Sequence, residues 1–161
     1  MLHMKITTTH SKIEHSTILK TLIKERLNKD IIRYLESITQ IGNRLNVPVY
    51  AVGGFVRDLI LNVPNKDIDI VVEGESIPFA VCLAELFGGK VTSHEKFGTS
   101  VVILSNGDRI DVASARTEHY KYPAALPTVK RGSIKSDLFR RDFTVNSMAI
   151  KLTGSNAFCL I

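Results

Sequence analysis

The chain has 161 residues, 44% hydrophobic and 23% charged, which suits one domain with a single sizeable core and excludes a wholly disordered polymer. No apolar run approaches the roughly 20 residues that span a bilayer, and two distant cysteines, Cys82 and Cys159, exclude a disulfide scaffold or cysteine zinc module, so no membrane partner and a cytoplasmic setting are expected. The net charge of +5 is unevenly spread: residues 1–33 and 116–142 each carry seven Lys/Arg against three acids, while 34–115 carries ten acids against six bases, a pattern suited to a carboxylate metal site with a polyanion at its edges.

The opening MLHMKITTTHSK lacks the apolar stretch of a secretory signal. Residues 11–27 place Ile18, Leu19, Leu22, Ile23 and Leu27 at helical spacing, and residues 30–46 set Ile31, Ile32, Leu35, Ile38, Ile41 and Leu45 on one helix face. Asp30 suits the N-cap or first turn of that second helix, and Asn46 before Val47-Pro48 ends it. The run VPVYAV, stopped by Gly53-Gly54, reads as a buried strand. FVRDLILN resumes a helical pattern, and Pro64-Asn65 turns the chain into the strand KDIDIVVE.

Residues 76–87 read as a helix with Ser76 as N-cap, Pro78 in the first turn and Gly88-Gly89 as the stop. TSVVILS and DRIDVAS flank Asn106-Gly107, a strong hairpin signal. Residues 116–135, with two prolines, Tyr120 and Tyr122, read as a long loop. SDLFRRDFTVNSM is expected to be helical, capped by Ser136 or Asp137, and to lead into the strand AIKL. Helices and strands with one hairpin predict an α/β (α+β) domain built on a mixed sheet. The predicted organisation is a helical lead-in over 1–29 and a single domain over 30–161.

Asp67-Ile68-Asp69 is the sharpest chemical feature. On a strand both carboxylates project to one face while Ile68 and Ile70 enter the core. Two carboxylates about 7 Å apart repel unless a cation sits between them, and Mg²⁺ favours one or two carboxylates plus substrate phosphates. Ile110-Asp111-Val112 repeats the apolar–acid–apolar pattern on the predicted hairpin. Three carboxylates from neighbouring strands suit a two-metal phosphoryl-transfer site; a solvent-facing acidic edge is the plainer alternative. Asp108 reads as a turn residue.

Gly53-Gly54-Phe55-Val56-Arg57-Asp58 joins a strand to a helix, so its backbone can approach a phosphate closely and Arg57 can add a bidentate contact. It is neither a Rossmann fingerprint nor a Walker loop. On the predicted C-terminal helix Asp142 and Asn146 share a face able to hydrogen-bond a ribose, beside Arg140 and Arg141, with Phe143 turned to the core. The alternative there is a surface arginine pair. His3, His10, His15, His94 and His119 show no ligand spacing.

Taken in order, YAVGGFVRD, KDIDIVVEG, FGTSVVI, IDVASARTEHY, PAALPTV and DLFRRDFTVNSMAI resemble the head domain of class II tRNA nucleotidyltransferases and bacterial poly(A) polymerases. The resemblance covers about residues 30–152, and residues 20–46 look like the lead-in of the A-adding and CC-adding members. It implies the polymerase-β-like nucleotidyltransferase palm, a mainly antiparallel mixed sheet backed by helices. It further implies that Asp67 and Asp69 are the catalytic metal-binding pair for two Mg²⁺ ions, with Asp111 at an acidic position of the family. Gly54 and Arg57, with Gly53 beside them, would meet the phosphates of ATP or CTP, and Arg140 and Arg141 would bind nucleotide. Asp142 and Asn146 would read the ribose 2′-hydroxyl, and Arg116 and Glu118 would lie near a flexible substrate-positioning loop.

The implied activity is transfer of AMP or CMP to the 3′-hydroxyl of an RNA, foremost the tRNA 3′ end, with pyrophosphate release. Family members continue beyond the last strand with a base-selecting helix and helical RNA-binding domains, whereas this sequence stops at GSNAFCLI. A head domain that works with further C-terminal domains or a partner chain is therefore expected. A non-catalytic nucleotide- or RNA-binding module and a minimal nucleotidyltransferase acting on protein are the alternatives.

Overall fold

The computed structural model describes residues 16–119, 122 and 128–161. A first helix, α1, covers 16–26 and turns at Asn28 into α2, Lys29–Arg44. The Asn28 side chain accepts a hydrogen bond from the Ile31 N–H at 2.8 Å, so Asn28 is the N-cap and Asp30 lies in the first turn. There follow β1 (Val49–Val52), α3 (Gly54–Leu61), β2 (Ile68–Val72), α4 (Ser76–Phe87), β3 (Lys90–His94), β4 (Thr99–Ile103) and β5 (Arg109–Ser114). The last elements are β6 (Arg116–His119), β7 (Thr128–Arg131), α5 (Ile134–Phe139) and β8 (Ala149–Lys151).

Six strands form one mixed sheet in the order β3-β4-β5-β2-β1-β8, and β6 pairs with β7 in a separate ribbon. Every pairing is antiparallel except β2–β5. That parallel contact exists because the chain leaves β2 through α4, adds β3 and β4 at the edge, and returns with β5 against β2. The Asn106-Gly107 turn closes the β4–β5 hairpin as expected, with Gly107 at φ +89°.

Strand alternation divides the sheet into two faces. Val49, Ala51, Ile68, Ile70, Val72, Ile110 and Val112 face a core shared with Leu19 and Ile23 of α1, Ile31, Leu35, Ile38 and Ile41 of α2, and Phe79 and Leu83 of α4. Each such aliphatic side chain contributes about 1.5–3 kcal/mol by leaving water, so α1 and α2 are held by packing more than by helix propensity. Tyr34 is buried among them and donates its hydroxyl to Asp108 at 2.7 Å, pinning the hairpin turn to α2. That hydrogen bond, with Asn106 behind it, holds the Asp108 carboxyl below its ordinary range. The opposite face carries a smaller cluster, Tyr50, Val52, Val71, Ala115 and Ala149 under Ile134 and Leu138 of α5.

Several sequence expectations change. The 116–135 stretch is not a simple loop: its ends zip into the β6–β7 ribbon, with Glu118 opposite Val129, while most of the segment between them lies outside the described residues. The segment 136–148 is not one helix. Ser133, not Ser136 or Asp137, caps α5, which ends at Phe139, and Thr144–Asn146 forms a separate 3-10 turn. Phe143 is 68% exposed instead of entering the core. Ser76 is the buried first residue of α4, not its cap, and its hydroxyl donates to the Gly98 carbonyl. Ile18 and Leu45 are exposed although their spacing matched the apolar faces. Strand β3 was unforeseen: it is an edge strand with a polar outer face, so its apolar signal is weak. No helix among the described residues is long and apolar enough to cross a membrane.

Candidate active site

The site lies on the sparsely covered face, where β1 ends and β2 and β5 begin. Strands β2 and β5 run parallel in register, which sets Asp69 directly beside Asp111. Asp67 immediately precedes β2 and is exposed; its backbone N–H donates to the Asn65 side-chain oxygen at 2.7 Å. Ile68 and Ile70, pointing the other way, are buried and fix the register of Asp69 between them. Burial raises the Asp69 carboxyl above its ordinary value, the Asp111 charge raises it further, and Arg141 opposes both.

Asp111 is turned along its own face onto Arg109, which donates to it through Nε and Nη2 at 2.9–3.1 Å. Among the described residues, no three acidic, histidine or cysteine side chains gather in a metal-holding arrangement. The donor chemistry nevertheless fits a hard divalent cation. Every candidate ligand side chain offers a carboxylate oxygen, and the Asp69 charge, disfavoured by burial and by its acidic neighbours, would be stabilised by a bound cation.

The opposing wall begins at Gly53, whose φ of +67° suits glycine. A Cβ built there would stand 3.0 Å from Arg141 Nη1 and 3.9 Å from Asp69 Oδ2, so the missing side chain is what lets Arg141 lie across the strand end toward the acids. Gly54 has no positive φ, and a Cβ there would meet only the Arg57 guanidinium at an ordinary contact distance of 3.6 Å; of the two glycines the steric demand is at Gly53.

Arg57 follows in the first turn of α3. Its Nη1 donates to Asn146 Oδ1 at 2.9 Å, and its Nε and Nη2 pair bidentately with Asp58 at 2.7 and 3.0 Å. Asp58 also accepts from Asn65 Nδ2, and the Arg57 guanidinium holds its carboxyl below the usual range. Arg57 and Asn146 therefore meet across 89 residues of sequence. Asp142 does not share a helical face with Asn146: it is exposed in the segment between α5 and the 3-10 turn.

Arg140 and Arg141 both reach back to Asp137 in α5. Glu118 of β6 accepts from Arg140 and pairs with Arg116. Arg116 and Glu118 thus belong to an ion network behind the site. Three contributors escaped sequence reasoning: Arg109 as the partner of Asp111, Asn65 as the brace of Asp67, and Asp137 as the arginine anchor. All three left a local trace: the i+2 spacing of Arg109 and Asp111 on one strand face, the i+2 side-chain-to-backbone turn from Asn65 to Asp67, and the i+3 and i+4 spacing from Asp137 to Arg140 and Arg141.

Residues 49–159 match the sequence profile described as the poly A polymerase head domain. The chain is 49% identical over 140 residues to the A-adding tRNA nucleotidyltransferase of Geobacter sulfurreducens, covering 87% of this chain and 16% of that one. It is 38% identical over 143 residues to the A-adding tRNA nucleotidyltransferase of Halalkalibacterium halodurans, covering 89% and 34%. Among solved structures it resembles a CCA-adding enzyme in apo form II at TM-score 0.83 and 47% identity, covering 89% of this chain and 34% of that one. The Thermotoga maritima CCA-adding enzyme complexed with tRNA-CCA gives TM-score 0.76 and 42% identity, covering 89% and 31%. The chain spans about a third or less of the length of these relatives, and its mixed sheet backed by helices matches their nucleotidyltransferase palm.

Proposed function

Since the chain belongs to the poly(A) polymerase head-domain family, we propose that it is the catalytic head of a template-independent RNA nucleotidyltransferase. It transfers AMP or CMP from ATP or CTP to the 3′-hydroxyl of an RNA, foremost a tRNA 3′ end. The observation that carries this reading is the in-register pair Asp69 and Asp111 lying beside Gly53 and Arg141. Related solved structures are complexes with CTP, with ATP and with tRNA. The expected setting is the cytoplasm, with the remaining domains or a partner chain supplying RNA grip and base choice.

In the reaction the RNA 3′-oxygen attacks the α-phosphorus and gives up its proton to solvent water. The bond from that phosphorus to the bridging oxygen breaks, and pyrophosphate leaves with the bonding pair. Asp67 and Asp69 would hold Mg²⁺, two ions in the active complex, which supplies acidification of the attacking hydroxyl and neutralisation of the triphosphate. Gly53 and Gly54 leave the strand–helix turn open to phosphate oxygens. Arg57 and Arg141 present guanidinium donors to those oxygens, and Arg57 also orients Asn146, which with Asp142 would read the ribose. Most of the acceleration would come from positioning and electrostatics.

The test incubates the chain, alone and supplemented with the remaining segments of a relative, with Mg²⁺, labelled ATP or CTP, and tRNAs ending at each stage of CCA. Label entering RNA with the wild type but not with Asp67→Ala supports the proposal, and the preferred nucleotide sets the type. Label entering protein instead, or nucleotide binding without any incorporation in the supplemented reaction, overturns it.

A further inference from the structure

One carboxylate outside the proposed catalytic set organises the arginines of the site. Asp137, in α5, is 1% exposed. Its Oδ1 accepts from Arg140 Nη2 at 2.8 Å, Arg140 Nε at 3.2 Å and the Arg116 backbone N–H at 3.4 Å; its Oδ2 accepts from Arg141 Nη2 at 3.1 Å. Asp137 is the one hydrogen-bond acceptor of the Arg141 side chain among the described residues, reached through Nη2, and Arg141 Nε is buried without a partner. The other end of that guanidinium, Nη1, lies over Gly53 beside Asp69. Its direction is thus set from behind, by Asp137, and its front edge is left without an acceptor among the described residues.

The same carboxylate reaches the β6–β7 ribbon. Arg140, held by Asp137, donates to Glu118 at 3.2 Å, and Glu118 pairs with Arg116 at 2.9 Å. The ribbon and α5 therefore close on one buried point.

We propose that Asp137 is a positioning residue: it presets Arg141 across Gly53 to receive a nucleoside triphosphate and ties the β6–β7 ribbon to that arginine. This rests on the reading of Arg141 as a nucleotide-binding group. A carboxylate is required because it offers acceptors on both oxygens to two guanidinium groups. The isosteric amide of Asp137→Asn turns one of those acceptors into a donor facing a cation.

Two measurements on the 161-residue chain decide it. The first is ¹⁵N NMR of the arginine Nε–Hε groups, with Arg141 assigned by its loss in Arg141→Lys. The wild type is expected to show a motionally restrained Arg141 that becomes mobile in Asp137→Asn. A mobile Arg141 in the wild type overturns the proposal even if Asp137→Asn fails to fold, and so does an unchanged restraint in a folded Asp137→Asn.

The second is titration with fluorescent ATP or CTP analogues and Mg²⁺. Asp137→Asn is expected to weaken binding about ten-fold or more, and adding it to Arg141→Ala is expected to cost nothing further. Additive losses, or a lowered melting temperature with unchanged nucleotide affinity, show a merely structural Asp137 and overturn the proposal. If the wild type binds no nucleotide even when supplemented with the remaining segments of a relative, the transferase reading fails, while the NMR measurement still decides whether Asp137 sets Arg141.

Discussion

Arg109 grips Asp111 at the rim of the sheet with the two side chains 59% and 37% exposed, whereas Arg140 and Arg141 grip Asp137 where the carboxylate is 1% exposed. The chemistry is the same and the consequences are opposite. At the rim, water screens the pair and the long arginine loses rotamer freedom to make it, so the pair is worth little and Asp111 is readily released to a cation. In the interior the carboxylate is out of water and its arginines are only 27% and 22% exposed, so water replaces a lost partner poorly and the cluster fixes geometry. The acidic ledge is thus available for exchange with ligands, and the arginine wall is preset. A phosphoryl-transfer site needs both, since cations and triphosphate must come and go past donors that do not reorganise.

The largest break in this contrast is expected from Asp69→Ala. Nucleotide incorporation into RNA should fall roughly a thousand-fold or more while circular dichroism and thermal melting stay those of a folded chain; retained incorporation would remove Asp69 from the mechanism. Next, Asp137→Asn should destabilise the chain by roughly 3 kcal/mol or more in denaturant titration. A cost near that of a surface pair would mean that the wall is as exchangeable as the ledge.

The acid ledge also carries a pH signature. Burial and the Asp111 charge raise the Asp69 carboxyl in the folded chain. A raised carboxyl favours the fold while protonated, and that contribution is lost as pH rises through its folded value. In divalent-free buffer Asp69→Asn should therefore melt above the wild type at neutral pH, with the gap closing on acidification toward the usual carboxylate range. A gap that widens in acid would reverse the assignment. Tyr34→Phe, which deletes the hydroxyl bound to Asp108, should cost about 1 kcal/mol and leave nucleotide binding intact. The smallest effect is expected from Arg109→Ala: stability should move by less than about 1 kcal/mol, and a larger loss would show that the rim pair is a strut after all.

Much of the fold was legible because its signals are local. The apolar stripes of α1 and α2, the glycine-stopped run of β1, the alternation in β2 and the Asn106-Gly107 turn each express a backbone period or a turn preference within a few residues. Elements shaped by neighbours were not. Strand β3 has a weak pattern because it is an edge, and the β6–β7 ribbon is hidden because pairing at its ends, not composition, makes it. The segment after α5 carries helical spacing, yet its helix stops at Phe139, and Arg140 and Arg141 turn back onto Asp137.

For the site the division is similar. The acids at positions 67, 69 and 111, the paired glycines and the arginines can be picked out along the chain, because period-two alternation and a strand–glycine–helix junction dictate which side chains leave the core together. Which of them meet is set by the folded arrangement. The parallel β2–β5 contact sets Asp69 beside Asp111, the positive φ of Gly53 admits Arg141, and Arg57 reaches Asn146 across the fold. These are long-range contacts whose partners are chosen by sheet order and buried charge pairing, and neither quantity is written in any single stretch of chain.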